Sequence, residues 1–258
     1  MYSNRVIKYI KSTYGNGERY LVAALVICWV INAVASFMDW DVLYNLFSPI
    51  TALCGISLMA GGISKVGKYW ISGFYFLMGI FFWVISDSLV IVYSYFLPNN
   101  PYLVAIADAL YLAPNYVFGI AIFMYMNSDF RKNERLALYI SVVTIIIVGL
   151  YVIIGYARYD FGLAYYTSDY GVSSVAYFIG VGFTGSMMLV HLLIRGLRDT
   201  NKAVKAILAA LLIYNILEFR YGYYIALSMD PEAPALDVIY LSCVLAFALS
   251  FRDPSIND

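Results

Sequence analysis

The stretch Phe81–Phe96, FFWVISDSLVIVYSYF, decides the fold class because it is apolar over almost its whole length. With the apolar residues that precede it, the stretch is long enough to cross a bilayer core of about 30 Å as a helix of about 20 residues. Asp87 is the exception. A charged side chain at membrane depth costs about 2.5–3.5 kcal/mol on insertion scales, so we expect Asp87 to face the protein interior and not lipid.

The composition extends this conclusion to the whole chain. Of its 258 residues, 63% are hydrophobic and 12% are charged, whereas a soluble domain carries about 25% charged residues. We therefore predict an all-α integral membrane protein, a bundle of about eight transmembrane helices. The predicted helices are Tyr20–Phe37, Leu43–Ala60, Tyr69–Leu97, Tyr102–Met126, Leu136–Tyr156, Val172–Ile194, Ala203–Leu227 and Ala235–Phe251. Residues 1–19 form a basic arm, residues 20–251 the transmembrane domain, and residues 252–258 a tail.

The positive charges predict the orientation. Fourteen of the 16 Lys and Arg residues lie in the arm, the tail and alternate loops. By the positive-inside rule these segments, and hence both termini, are cytoplasmic. We expect a multi-pass protein of the cell membrane, in bacteria the inner membrane, with lipid as its surroundings and no nucleic-acid partner.

Two segments resemble each other and predict a parallel internal repeat of the third and fourth with the seventh and eighth helices. In each, an acidic residue in one helix is followed by aromatic residues, a turn containing proline, and Asp-x-x-Tyr-Leu at the start of the next helix. Asp87 thereby pairs with Glu218, and Asp108 with Asp237. A pseudo-twofold axis along the membrane normal would relate the two copies.

Counting along the helices places the four acids and Arg220 at similar depth in the outer half of the membrane. One Arg does not neutralise four carboxylates, so we predict an internal cavity that holds a small ligand of cationic character. The predicted ligand-binding residues are Trp83, Asp87, Asp108, Tyr111, Tyr214, Glu218, Arg220, Asp237 and Tyr240. The alternative is that the acids cap helices, pair with Arg220 and only fix the packing.

Several kinds of chemistry are disfavoured. No predicted span carries a central Lys for a retinal Schiff base, and His191 is the only histidine, which argues against a histidine-rich zinc site. The three cysteines lie far apart within predicted spans, which disfavours a disulfide framework. We therefore predict no cofactor, no metal and no catalytic residue.

The combination of Trp83-x-x-x-Asp87, a proline-containing turn, and Asp108-Ala-Leu-Tyr111-Leu resembles the multi-span N-terminal sensory regions of bacterial diguanylate cyclases and related signalling proteins. The resemblance implies a membrane receptor for a small signal, with a cytoplasmic output. The second segment departs from the pattern at Tyr214 and Glu218. The given sequence also ends just past the last predicted helix, so we expect a separate signalling partner, a module of a longer protein, or reuse of the fold for another function.

Three functions follow from these patterns. The leading prediction is a sensory module that binds a small ligand between the third, fourth, seventh and eighth helices. The alternatives are a transporter that uses intramembrane carboxylates and a lipid-modifying enzyme that uses Asp87 with Asp108 as an acid/base pair. The small residues of Val172–Ile194 predict a close packing face or a homodimer face.

Overall fold

The computed structural model describes residues 15–38, 40–63, 67–97, 101–129, 146, 169–196, 200–227 and 234–253. These residues form seven α-helices and one 3₁₀ turn, with no strand among them. The helices are α1 Asn16–Phe37, α2 Asp41–Ile63, α3 Trp70–Tyr95, α4 Pro101–Asp129, α5 Asp169–Arg195, α6 Lys202–Ala226 and α7 Pro234–Ser250. The predicted all-α class is therefore confirmed for the part of the chain that is described.

Seven of the predicted helices coincide with α1 to α7, with ends that differ by at most four residues. The other predicted helix, Leu136–Tyr156, lies outside the described residues, as do residues 1–14 of the basic arm. Proline explains two of the helix starts, because α4 begins at Pro101 and α7 at Pro234. An N–H group at the first position of a helix has no intrahelical acceptor, so proline, which lacks this N–H, loses no hydrogen bond there.

Five of these helices are long and apolar enough to cross a membrane, namely α1, α2, α3 and the apolar parts of α4 and α5. α6 carries four charged residues, and α7 is an apolar helix of 17 residues. Both pack against the apolar helices, α6 on α5 and α7 on α1 and α2. The protein is thus a multi-pass membrane protein, and helical rather than barrel-forming in the described ranges.

Helix contacts close the bundle into a ring. Each helix packs against the next in chain order, and α7 returns to contact α1 and α2. α4 and α5 run parallel, since Asn115 lies beside Thr184 and Tyr125 beside His191. Asp129 and Asp169 therefore lie at opposite ends of the bundle.

The start of α1 and the end of α7 lie at the same end of the bundle. Arg252, which is buried, forms an ion pair with Glu18 of α1 and donates to the Gly61 carbonyl of α2 at 2.6 Å. We call this end, which also holds Arg19 and Lys205, the basic end. The predicted topology requires the start of α1 and the end of α7 on one side of the membrane, and the described residues have this arrangement. That this side is cytoplasmic stays a prediction.

The small residues of α5 serve packing within the chain. A Cβ on Gly180 would lie 2.8 Å from the Cβ of Asn115 in α4. The buried Ser174 and Ser186 lie along the same helix, and the Ser186 hydroxyl donates to the Gly182 carbonyl at 2.6 Å. This close packing is one of the two roles predicted for these residues. The homodimer stays a prediction.

Candidate functional site

Asp87 faces other helices and not lipid, as expected from the free-energy cost of a charged side chain at membrane depth. It lies about two-thirds of the way along α3, where it accepts hydrogen bonds from the Tyr111 hydroxyl of α4 and, at 3.4 Å, from Ser48 of α2. The hydroxyl of Tyr44, one turn before Ser48, is within hydrogen-bonding reach of Asp237 at the start of α7. We call these five residues the aspartate cluster. It joins α2, α3, α4 and α7 through polar side chains inside the apolar bundle.

Glu218 is the centre of a second polar group. It is 8% exposed, about two-thirds of the way along α6, and accepts a hydrogen bond from the Asn115 amide of α4 at 2.8 Å. The hydroxyls of Tyr214 and Tyr240 are within hydrogen-bonding reach of its carboxylate. We call these four residues the glutamate cluster. The Asn115 amide, together with two phenols within reach, offsets part of the cost of removing this carboxylate from water.

A small cavity of about 10 Å³, room for about one water molecule, lies beside the glutamate cluster, among α3, α4, α6 and α7. Its walls include six rings, those of Trp83, Pro114, Phe118, Tyr214, Tyr240 and Phe247. The Trp83 and Tyr240 rings are 6.0 Å apart and the Tyr214 and Tyr240 rings 5.7 Å. We call it the central cavity. These four helices are the ones between which the sequence predicted a ligand.

Seven of the nine predicted site residues belong to the two clusters or to the cavity wall, and the other two are Asp108 and Arg220. The side chain of Asp108 is exposed, although it lies on α4, next to the helix of Asp87. The Arg220 guanidinium lies 4.3 Å from the centre of the Tyr224 ring in a cation–π arrangement. The expected ion pair between Arg220 and one of the acids stays a prediction, and an acid/base pair of Asp87 with Asp108 is not favoured by these positions.

Three residues of the clusters are absent from the predicted site: Tyr44, Ser48 and Asn115. Asn115 lies four residues after Tyr111 and so shares its helix face, a signal that the spacing contained. Tyr44 and Ser48 belong to α2, outside both repeated segments. Only the packing of α2 against α3 and α7 brings them to Asp87 and Asp237.

The two segments that resemble each other make the same contact. In the first, the tyrosine of Asp-x-x-Tyr-Leu on α4 donates a hydrogen bond to the acid of α3; in the second, the corresponding Tyr240 on α7 is within hydrogen-bonding reach of Glu218 of α6. Seven residues beyond each tyrosine is a phenylalanine, Phe118 or Phe247. Their ring centres are 5.5 Å apart.

No family model, no curated protein and no solved structure matches the chain. The helices and their apolar composition define its class, an all-α multi-pass membrane protein. The likeness to bacterial sensory regions rests on the residues quoted above and stays a resemblance.

Proposed function

We propose that the chain is a membrane receptor module that binds a small organic cation in the central cavity and signals to a partner at the basic end. The observation that carries this proposal is the composition of the cavity wall. Trp83, Tyr214 and Tyr240 present aromatic rings, and the buried carboxylate of Glu218 lies directly behind the two tyrosines.

Aromatic rings and a carboxylate together favour an ammonium group. The face of an aromatic ring attracts a cation by about 0.5–2 kcal/mol, more when both groups are desolvated, and such cages bind quaternary ammonium ligands. A negative charge nearby adds to this attraction because the surrounding dielectric is low. The cavity itself is small, about 10 Å³, so a compact head group would bind with displacement of wall side chains such as Tyr240. The second acid group, Asp87 with Asp237, adds negative potential on the side of α2.

α7 connects this site to the basic end. It carries Asp237 and Tyr240 in the clusters, and the chain directly after its last residue carries the buried Arg252. A ligand that displaced Tyr240 would act on the helix whose far terminus is tied to α1 and α2. Cationic residues at that end provide a surface for an acidic cytoplasmic partner, and a homodimer would supply a second route for the signal.

The matching tyrosine–acid contacts support the parallel repeat as an ancestral feature of this receptor. In the proposed arrangement the two copies, α3 with α4 and α6 with α7, face each other across the Phe118 and Phe247 pair. The central cavity lies beside that pair, so a single ligand would contact both copies. A shift of one copy against the other is the movement such a ligand would control.

Thermal unfolding of the purified protein with choline tests the ligand class. The control compound is 3,3-dimethylbutan-1-ol, which has the shape of choline without its charge. We expect choline, and not the alcohol, to raise the unfolding midpoint of the wild type in a saturable manner. Glu218→Gln and Trp83→Leu should each lose this response.

The control variant is Asp41→Asn, which changes an exposed carboxylate at the start of α2 in the same way. Single variants Asp87→Asn and Asp108→Asn then decide whether either aspartate belongs to the ligand site. The proposal is rejected if choline, tetramethylammonium and primary amines all leave the wild-type midpoint where it is. An equal response of Glu218→Gln and the wild type would reject the role of the glutamate cluster.

Sidedness is tested by labelling single cysteines with an impermeant maleimide in intact cells. Lys205→Cys should resist the reagent until the membrane is opened, since Lys205 belongs to the basic end. Labelling from outside would place the basic end outside the cell and remove the cytoplasmic partner from the proposal.

A transporter is the second candidate because the bundle contains two cavities in line. The central cavity ends at a layer formed by Phe76, Phe118 and Phe247, whose ring centres are 5.5–5.6 Å apart. Beyond that layer a second cavity extends toward the basic end. An aromatic constriction between two cavities is the arrangement of a hydrophobic gate. Uptake of radiolabelled choline into proteoliposomes, abolished in Glu218→Gln, would favour transport over reception.

A further inference from the structure

Two of the three cysteines lie close together in the bundle, although they are far apart in the sequence. Cys28 belongs to α1 and Cys54 to α2, and both are free thiols in the structure. The two helices pack against each other, and the thiols are near enough to interact electrostatically. We call Cys28 and Cys54 the thiol pair.

The register of α1 against α2 places the thiol pair at one level. The amide of Asn32 donates a hydrogen bond to the hydroxyl of Thr51 at 2.6 Å, and both residues are fully buried. The helices are antiparallel, because α1 starts and α2 ends at the basic end. One turn closer to that end, Cys28 lies on the same face of α1 as Asn32. Cys54 likewise lies on the face of Thr51, so the two cysteines lie across the same interface.

The thiol pair lies deep in the apolar part of the bundle. Cys28 is near the middle of the apolar segment Gly17–Phe37, and Cys54 is near the middle of Asp41–Ile63. Cys28 is buried, whereas Cys54 is half-buried and follows Leu53, which is exposed. The pair is therefore accessible from the lipid side. Charged reagents such as glutathione are disfavoured at this depth, so a reagent that reaches the pair must be soluble in lipid.

The surroundings of the thiol pair favour a disulfide over a metal complex. The described residues contain no group of three or more His, Cys, Asp or Glu side chains that could hold a metal ion. A metal ion would also require two thiolates, and charge is costly in an apolar environment. Two thiols and a disulfide are both neutral, so oxidation leaves no charge at this depth.

We propose that the thiol pair is a redox-sensitive site, which a lipid-soluble two-electron acceptor of the quinone class oxidises to a disulfide between α1 and α2. Two S–H bonds break and one S–S bond forms. The two electrons and two protons pass to the quinone, which becomes a quinol. A dithiol reductant reverses the step by thiol–disulfide exchange.

The disulfide would fix the position of α2 against α1. In the reduced protein the hydrogen bond from Asn32 to Thr51 joins these helices, and a covalent link one turn away would limit their sliding and rotation. α2 carries Tyr44 and Ser48 of the aspartate cluster. The redox state of the thiol pair would therefore act on the aspartate cluster through the position of α2.

Oxidation of the purified protein in liposomes with diamide tests the proposal. Diamide is a neutral two-electron acceptor that takes up the two hydrogens and becomes a hydrazine. The protein is then unfolded in dodecyl sulfate, and N-ethylmaleimide counts the thiols that remain. We expect the wild type to fall from three thiols to one per chain, at Cys243. Mass spectrometry of the digest should show Cys28 linked to Cys54, and dithiothreitol should restore all three thiols.

Three variants serve as controls. Cys243→Ser should form the same link, and Cys54→Ala should not. The double variant Leu53→Cys, Cys54→Ala moves the thiol one position along α2 to the exposed side, and it should lose the link to Cys28. Diamide should raise the unfolding midpoint of the wild type and of Cys243→Ser, because a cross-link restricts the unfolded chain, and should leave that of Cys54→Ala unchanged.

The proposal is overturned if the oxidised wild type keeps three thiols, or if its disulfide involves Cys243. A link between Cys54 residues of two chains, seen as a doubled mass without reductant, would overturn it and indicate a homodimer contact instead. Equal linking by the Leu53→Cys, Cys54→Ala variant would show random collision of thiols and would also reject the pair. The proposal does not depend on choline binding, so its failure leaves the proposed receptor site standing, and the reverse also holds.

Discussion

The replacement of Phe247 by alanine tests whether the phenylalanine layer is the packed centre of the bundle. The side chain is 1% exposed and packs between Phe76 and Phe118. In a membrane the unfolded helices remain in lipid, which is as apolar as the core, so little transfer energy is lost. The cavity term remains: removing about 100 Å³ at about 24 cal/mol per Å³ gives about 2.4 kcal/mol. We expect Phe247→Ala to destabilise the protein by about 2–3 kcal/mol.

Reversible unfolding in mixed micelles by increasing the fraction of a denaturing detergent measures this free energy. Phe81→Ala is the matched control, because Phe81 is 40% exposed and faces outward from α3; its cost should stay below about 0.5 kcal/mol. The cavity left by the substitution should also accept benzene, which should stabilise Phe247→Ala more than it stabilises the wild type. A cost for Phe247→Ala that does not exceed the cost for Phe81→Ala would refute the reasoning about the layer and the separation of the two cavities.

Three further predictions use the same unfolding assay. Gly180→Ala should lower the free energy of unfolding by about 1–3 kcal/mol, because its Cβ would lie 2.8 Å from Asn115. Gly185→Ala is the control: the nearest atom to its Cβ is 4.0 Å away, so this change should be neutral or stabilising by about 0.5–1 kcal/mol. Equal losses in the two variants would contradict the packing of α5 on α4. Tyr111→Phe should cost about 0.6–1.7 kcal/mol, the range of interhelical hydrogen bonds in membranes, and a neutral result would remove the aspartate cluster as an ordered network. Arg252→Gln should cost about 1–3 kcal/mol, less than a fully buried pair because Glu18 is 26% exposed. The double variant with Glu18→Gln should recover part of that loss, and strictly additive losses would show that the pair does not act as a unit.

The helical class and most helix positions could be predicted from the sequence because they depend on local properties. A bilayer demands about 20 apolar residues per crossing, and such runs are visible in one dimension. Proline marks the starts of α4 and α7 for an equally local reason. The depth of Asp87 and Glu218 follows from simple counting along a helix, which is how the sequence predicted similar depths for both.

The hydrogen-bond partners of the acids could be predicted only in part from the sequence. The Asp-x-x-Tyr spacing predicted that Tyr111 and Tyr240 could reach the cavity or an acid; Tyr111 donates a hydrogen bond to Asp87, and Tyr240 is within reach of Glu218. The same spacing also led to Asp108, whose side chain is exposed. Position along a helix gives depth, but the rotation of the helix about its own axis decides which side chains face inward, and that rotation is set by packing.

The sequence by itself determined the apolar spans, the alternation of basic loops and the resemblance of the two segments, because each is written in the order of the residues. Only the tertiary structure decided that α7 closes the ring on α1 and α2, that Tyr44, Ser48 and Asn115 join the acids, and that three phenylalanines divide the interior into two cavities. These features unite residues from helices far apart in the chain. They depend on how the side chains of different helices fit together across the bundle. Hydrophobic periodicity in the sequence does not indicate which helix faces contact each other.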